Sequence, residues 1–209
     1  MSSTLRPTSR AALAAAFAAL LVACGGGGDG AADADTAAVP SGADAGDGGP
    51  APNPPAPAPP ASADTGCGDA AFQATALRLL NERRAAGASC GSQGAFGPAP
   101  ALAWSATLAQ AAWQHSSDMA TRNYFSHTSP EGGTLGSRAT AAGYAWSSIA
   151  ENIAAGQPDA AAVVDGWMAS PGHCRNIMTA TLRDAGMACA RNDASAYRRY
   201  YTLVLGSPR

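Results

Sequence analysis

The chain has 209 residues, a formal net charge of −2, no lysine and three histidines. With no large basic cluster, it lacks the charge signature of a nucleic-acid binder. Its composition is uneven and divides the chain into three segments of different character.

Residues 1–23 read as a lipoprotein signal peptide. Arg6 and Arg10 precede an apolar run over residues 11–22. That run is too short to span a bilayer and has the layout of a secretory signal. It ends in Leu21-Val22-Ala23-Cys24, which resembles a bacterial lipobox, so Cys24 is the expected lipidation site. Gly25 follows, rather than Asp, which favours sorting to an outer membrane where the cell has one. Residues 24–66 comprise the lipidated cysteine and a tether built almost entirely of Gly, Ala, Asp and Pro. Val39 is the tether's only large apolar residue. Such a stretch buries too little apolar surface to offset its ordering entropy and is expected to be a disordered linker. The remaining segment, residues 67–209, is long enough for one domain with its own core.

Four cysteines fall in that domain: Cys67, Cys90, Cys174 and Cys189. An even number in an exported chain points to disulfides, and four cysteines allow three pairings. The expected pairs are Cys67–Cys90, tying the first helix to the loop after it, and Cys174–Cys189. The spacings are not those of a zinc knuckle.

Residues 70–86 read as a helix, with Phe72, Ala76, Leu79, Leu80 and Arg83 near one face and Gly87 as terminator. Residues 90–100 are rich in Gly and Pro and read as a loop. Ser105 can cap a second helix that runs to about residue 123. Its stripe of Leu108, Ala112, His115 and Met119 makes His115 a buried, hydrogen-bonded core histidine. His127 follows in a sharp loop, and a short helix spans 135–142. Residues 148–156 form a compact apolar segment interrupted by Glu151 and Asn152, both costly to bury unless satisfied. Asp159 caps a helix through 169, which Pro171-Gly172 breaks, presenting His173. Residues 184–191 and 197–205 read as strands, with a third near 149–154. Helices around a few strands make this an α+β layered domain.

Several motifs stand in order: Asn81-Glu82-Arg83-Arg84, His115-Ser116-Ser117-Asp118-Met119, Phe125-Ser126-His127-Thr128-Ser129-Pro130, Ala150-Glu151-Asn152-Ile153-Ala154, Ser170-Pro171-Gly172-His173, and Tyr200-Tyr201-Thr202-Leu203-Val204-Leu205-Gly206. Together they resemble the CAP superfamily, or SCP domain, in its bacterial, spore-coat-like branch, over residues 70–206. The resemblance implies a three-layer α-β-α sandwich with a cleft on one side. In the eukaryotic branch two His and two Glu line the cleft and in some members hold a divalent metal. The matching positions here are His127, His173 and Glu151. The second glutamate falls at Ser170, and Ala150 stands where the family usually has Gly.

A set of His127, Glu151 and His173 could bind a divalent metal such as zinc. Glu151 could instead accept a hydrogen bond from one imidazole and fix its tautomer. A purely structural polar cluster is the third reading. Ser170, His173 and Glu151 also supply the components of a hydrolytic triad, although no nucleophile elbow surrounds Ser170. His115 and Asp118, three apart on one helix, are expected to stabilise the helix and tether the loop. Asn152 is expected to satisfy backbone groups of the loops holding the site. The sequence thus leads to an extracytoplasmic protein, anchored to the membrane by its lipidated N-terminus or secreted. Its cleft would take a small-molecule, lipid or envelope ligand, with a hydrolase and a structural module as the alternatives.

Overall fold

The computed structural model describes residues 64–209, so the signal peptide, Cys24 and nearly all of the tether lie outside the described residues. Helix α1 spans Phe72–Ala86 and buries Phe72, Ala76, Leu80 and Arg84 at steps of four. The expected stripe ended on Arg83, but the step of four from Leu80 lands on Arg84. Arg83 points outward to Asp165 at 2.6 Å. Arg84 is fully buried. Its guanidinium donates to the carbonyls of Pro100, Ile177, Thr179 and Leu182 at 2.7–3.0 Å. Two of these carbonyls close the C-terminal end of a later helix, where a cation is favoured.

Two short strands, β1 (Ala88–Ser89) and β2 (Ala95–Phe96), pair within the loop after α1. The main sheet holds β3 (Ala103–Trp104), β4 (Trp146–Ala155), β5 (Asp184–Arg191) and β6 (Arg199–Pro208) in the order β3-β5-β6-β4. β3 runs parallel to β5, and the other pairs are antiparallel. β4 is therefore an edge strand. The last strand starts two residues later than expected, because Arg198 adopts a left-handed φ of 64° in the turn that precedes it.

Alternate residues of the central strands feed opposite layers. Met187, Cys189, Tyr201 and Leu203 pack with α1, with α4 (Ala160–Ala169) and with α5 (Pro171–Met178). Ala188 and Val204 pack with α2 (Ala106–Arg122), and α3 (Leu135–Ala141) adds Leu135 to the same cluster. This is the expected α-β-α sandwich. The approach of α2 to the sheet is close: a Cβ on Gly186 would lie 2.0 Å from the backbone nitrogen of Ala109. Ser105 and Asp159 cap α2 and α4 as the sequence suggests, accepting from Leu108 N–H and Ala162 N–H.

α4 ends at Ala169 as expected, and the break falls at Ser170. Pro171 does not terminate a helix but starts the next, occupying its first turn where a missing N–H is harmless. His173 and Cys174 are thus carried on a helix.

All four cysteines are bonded, but the pairing differs from the expected one. The bonds are Cys67–Cys189 and Cys90–Cys174, each with a Cα–Cα distance of 5.4 Å. The segment at Thr65–Gly66 lies beside β5, with Cys189 N–H donating to Thr65 O at 2.8 Å, and this brings Cys67 to Cys189. α5 packs against the loop after α1, and its buried Cys174 meets Cys90 there. Closeness in sequence favoured the other pairing, whereas sheet and helix packing brings together residues 122 and 84 apart. Among the described residues no helix is long and apolar enough to cross a membrane.

Candidate functional site

Glu151 lies on β4 and turns toward the α2 layer. Its carboxylate is almost fully buried, with 3% of its side chain exposed. His127 Nδ1 lies 2.8 Å from Oε1, and Arg138 donates to Oε2 at 2.7 Å. His115 Nε2 stands 3.9 Å from Oε1. Burial alone would raise the Glu151 carboxyl, but the hydrogen bond from His127 and the charge of Arg138 outweigh it. The carboxyl is held below its usual range. An ionised carboxylate only accepts, so His127 donates through Nδ1 and keeps Nε2 for a ligand. The His127 side chain is half exposed.

The loop carrying His127 is tied down at several points. Asn123 ends α2 in a left-handed conformation. His115, buried in α2, bonds through Nε2 to Ser126 O at 2.9 Å. That carbonyl only accepts, so Nε2 carries the proton. Burial pushes the His115 imidazole down to about 4, against the pull of Glu151, so it is neutral at ordinary pH. Arg138, on α3, donates to His127 O and to Gly133 O at 3.0 Å each, so it clamps the loop as well as the carboxylate. Asp118 accepts from Tyr124 Oη at 2.5 Å and from Arg122 at 3.4 Å, rather than meeting His115.

His173 comes from the opposite layer, on α5. Asn152 donates to its backbone carbonyl at 3.1 Å, and Asn176 donates to Asn152 Oδ1 at 2.9 Å and to Glu151 O at 3.3 Å. These bonds fasten α5 to the edge strand that carries Glu151. Burial, and then the neighbouring His127, lower the His173 imidazole. Cys90–Cys174 pins the same helix one residue further on. Ser170, at the joint between α4 and α5, and His173 both line a groove of about 370 Å³, along with Phe125, Ile153, Trp167 and Tyr197. Phe125 and Tyr197 stand exposed at 46% and 50%, their rings 5.9 Å apart. Trp167 is chiefly core and donates Nε1–H to Ile153 O.

The structure therefore joins Glu151 to His127 and puts His173 and Ser170 in the adjoining groove. Arg138 was missed by the sequence reading. The signal was a buried carboxylate in a chain without lysine, which calls for an arginine partner, but several arginines were available.

The donor set fits a divalent metal poorly. Both Glu151 oxygens are engaged, one by a guanidinium whose fixed charge opposes a cation. Among the described residues no group of three or more His, Cys, Asp or Glu is arranged to hold a metal ion. The triad built on Ser170 and His173 also lacks its orienting carboxylate, since Glu151 serves His127.

A family model described as "CAP: Cysteine-rich secretory protein family" matches residues 77–205. An extracellular protein containing an SCP domain from Bacillus anthracis has a solved structure with a TM-score of 0.52 at 31% identity. The likeness covers 64% of this chain and 39% of that one. An outer surface protein from Borrelia burgdorferi gives a TM-score of 0.51 at 15% identity, over 65% of this chain and 89% of that one, and so shares the fold. Two proteins of Bacillus subtilis are similar in sequence. Uncharacterized membrane protein YlbC is 34% identical over 48% of this chain and 27% of its own length. Uncharacterized protein YkwD is 37% identical over 39% and 32%. The matched stretches thus span about a third or less of these curated relatives. The chain belongs to the cysteine-rich secretory protein, or CAP, family.

Proposed function

We propose that this is an extracytoplasmic, metal-free ligand-binding CAP protein, held to the cell envelope by a lipid on Cys24 and carried on the tether that precedes the segment at Thr65–Gly66. Two disulfides suit an oxidising compartment. The observation that carries the ligand-binding reading is the Glu151–His127 hydrogen bond beside the groove lined by His173. A buried carboxylate that fixes an imidazole tautomer presents one defined nitrogen outward. The aromatic and aliphatic wall of the groove takes an apolar body, while His173 and Ser170, which line it, address a polar head, with the half-exposed His127 outside that lining as a further polar contact. The ligand class is then an amphipathic envelope molecule. Hydrolysis is the weaker reading, because no activated nucleophile accompanies the Glu151–His127 pair.

Native mass spectrometry on the full chain purified from its own membrane tests this reading. The expected result is a co-purified non-protein mass that disappears in His127→Ala/His173→Ala. Calorimetry with zinc supplies the opposing outcome: a stoichiometric zinc site abolished by His127→Ala would replace the metal-free reading with a metal centre.

A further inference from the structure

Among the described residues the exposed large apolar side chains are Phe125 and Tyr197. They are not scattered over the surface. Their rings lie 5.9 Å apart, and Tyr197 meets Tyr200 edge-on at 5.8 Å. An apolar residue exposed singly is ordinary, whereas neighbouring ones make a patch.

Phe125 belongs to the loop after α2, and Tyr197 to the hairpin 192–198 between β5 and β6. The two segments are locked together. Asn123 Oδ1 accepts from Ala196 N–H at 2.8 Å and from Tyr200 Oη at 3.3 Å. Asn192 Nδ2 donates to Ala120 O at 2.8 Å, and Asn192 N–H closes the hairpin on Arg198 O at 2.8 Å. Ala194 and Ala196 add small exposed apolar groups at the tip. The platform is built before anything meets it, which lowers the ordering cost of a contact.

Its charge is basic on balance. Arg191, Arg198 and Arg199 stand on the hairpin and the strand ends beside it, and Asp193 is the acid among them. Arg191 takes Asp193 through bonds of 2.8 and 2.9 Å, and the charge of Asp64 acts on the same guanidinium. Arg199 donates to Pro158 O at 2.7 Å. Arg198, exposed and held at a φ of 64°, makes no hydrogen bond or ion pair among the described residues. An available guanidinium beside exposed aromatic rings suits the headgroup layer of an anionic bilayer. The tether joins the domain at the same end. Thr65–Gly66 lies beside Cys189, the Cys67–Cys189 bond fixes it there, and β5 ends at Arg191.

We infer that Phe125, Tyr197 and Arg198 form a docking face for an anionic lipid bilayer, the rings entering the headgroup layer and Arg198 meeting lipid phosphates. Both rings also line the groove beside His173, so docking brings that groove to the lipid surface. The inference goes beyond the groove's ligand and rests on the proposed anchor only for the nearness of a bilayer.

The test places the full chain on phosphatidylglycerol–phosphatidylethanolamine vesicles containing a photoactivatable phospholipid and maps the crosslinked peptides by mass spectrometry. Palmitate labelling reports the anchor and crosslink position reports the face, so the two readings fail separately. Crosslinks should concentrate on 123–127 and 192–198, including Ala194 and Ala196, which lie outside the groove lining. Phe125→Ser/Tyr197→Ser should reduce them about tenfold, because the apolar area that drives contact is removed. Arg198→Asn, which tolerates the left-handed backbone, should reduce them about fivefold, the share of one basic residue at an anionic surface. Should the double variant fold poorly, Arg198→Asn decides. Arg78→Ala, on the exposed face of α1, should crosslink as the parent does. Crosslinks confined to α4 and α5 would mean a lipid held in the groove and would overturn the docking face. So would crosslinks spread evenly over the domain, or undiminished in both variants. A dimer in sedimentation equilibrium that Phe125→Ser/Tyr197→Ser dissolves would give the patch to a second copy and overturn the inference as well.

Discussion

At the level of single residues the molecule turns on how Glu151 is kept charged. Arg138 supplies the fixed cation, and His127 the directed hydrogen bond. Replacing Glu151 with Gln leaves a largely buried guanidinium without its counter-charge. The expected loss is about 3–5 kcal/mol in urea unfolding at neutral pH. Acid stability follows from the same cluster. His115 is neutral in the fold with its imidazole pushed down to about 4, whereas the unfolded chain takes up a proton near the ordinary histidine value of 6.5. Between those values the unfolded state binds more protons, so stability falls as pH drops through that window, by an amount on the order of 3 kcal/mol for His115. The lowered His173 adds to the loss as pH falls below the ordinary histidine value. Glu151, held below its usual range, contributes stability present above its unfolded value and lost as pH falls through its folded one, so its loss comes later. Urea midpoints from pH 7 to 4 should therefore decline, and His115→Gln should flatten the slope; an unchanged slope would contradict the assignment. The cost of burying Glu151 and Asn152 was visible in the sequence. The identity of the partner was not, because which arginine reaches the carboxylate depends on how α3 packs against β4.

Among the elements, α5 shows best what can and cannot be deduced from sequence. The Pro-Gly pair after a helix reads as a stop. In three dimensions the proline begins a second helix, because its fixed φ and missing N–H suit a first turn. The disulfides show the same limit. That all four cysteines pair was legible from their number and setting. Which pairs form depends on α5 lying across the loop after α1 and on the N-terminal segment lying beside β5, neither of which leaves a periodic trace. Non-reducing peptide mapping should recover Cys67–Cys189 and Cys90–Cys174. Cys90→Ser/Cys174→Ser should cost about 2–5 kcal/mol, with faster amide exchange in α5 than elsewhere. Gly186→Ala offers an independent test of the layer contact, since its Cβ meets backbone and not a yielding side chain. A loss of about 1–3 kcal/mol is expected from calorimetric unfolding.

For the molecule as a whole, the α-β-α layering was readable because the long helices carry their own apolar stripes, with side-chain caps at Ser105 on α2 and Asp159 on α4, and because β5 and β6 are apolar on both faces. The close approach of α2 at Gly186, the short strands β1 to β3 and the edge position of β4 were not, since they arise from long-range pairing. That edge position lets residues from two different layers reach one strand: His127 bonds Glu151 from the α2 side, and the backbone of His173 bonds Asn152 from the α5 side. On the proposed envelope anchor, radiolabelled palmitate should mark the full chain, and Cys24→Ser should remove the label and release the protein from the membrane fraction.

The central claim is that Glu151 fixes the tautomer of His127, and the chain's three histidines make it directly observable. Long-range ¹H–¹⁵N correlation at about pH 8, where neutral imidazole is the ordinary form, reports which nitrogen carries each proton. His127 should appear as the Nδ1–H tautomer and His115 as Nε2–H, and Glu151→Gln should shift His127 alone toward Nε2–H. A parent His127 protonated on Nε2 would contradict the account.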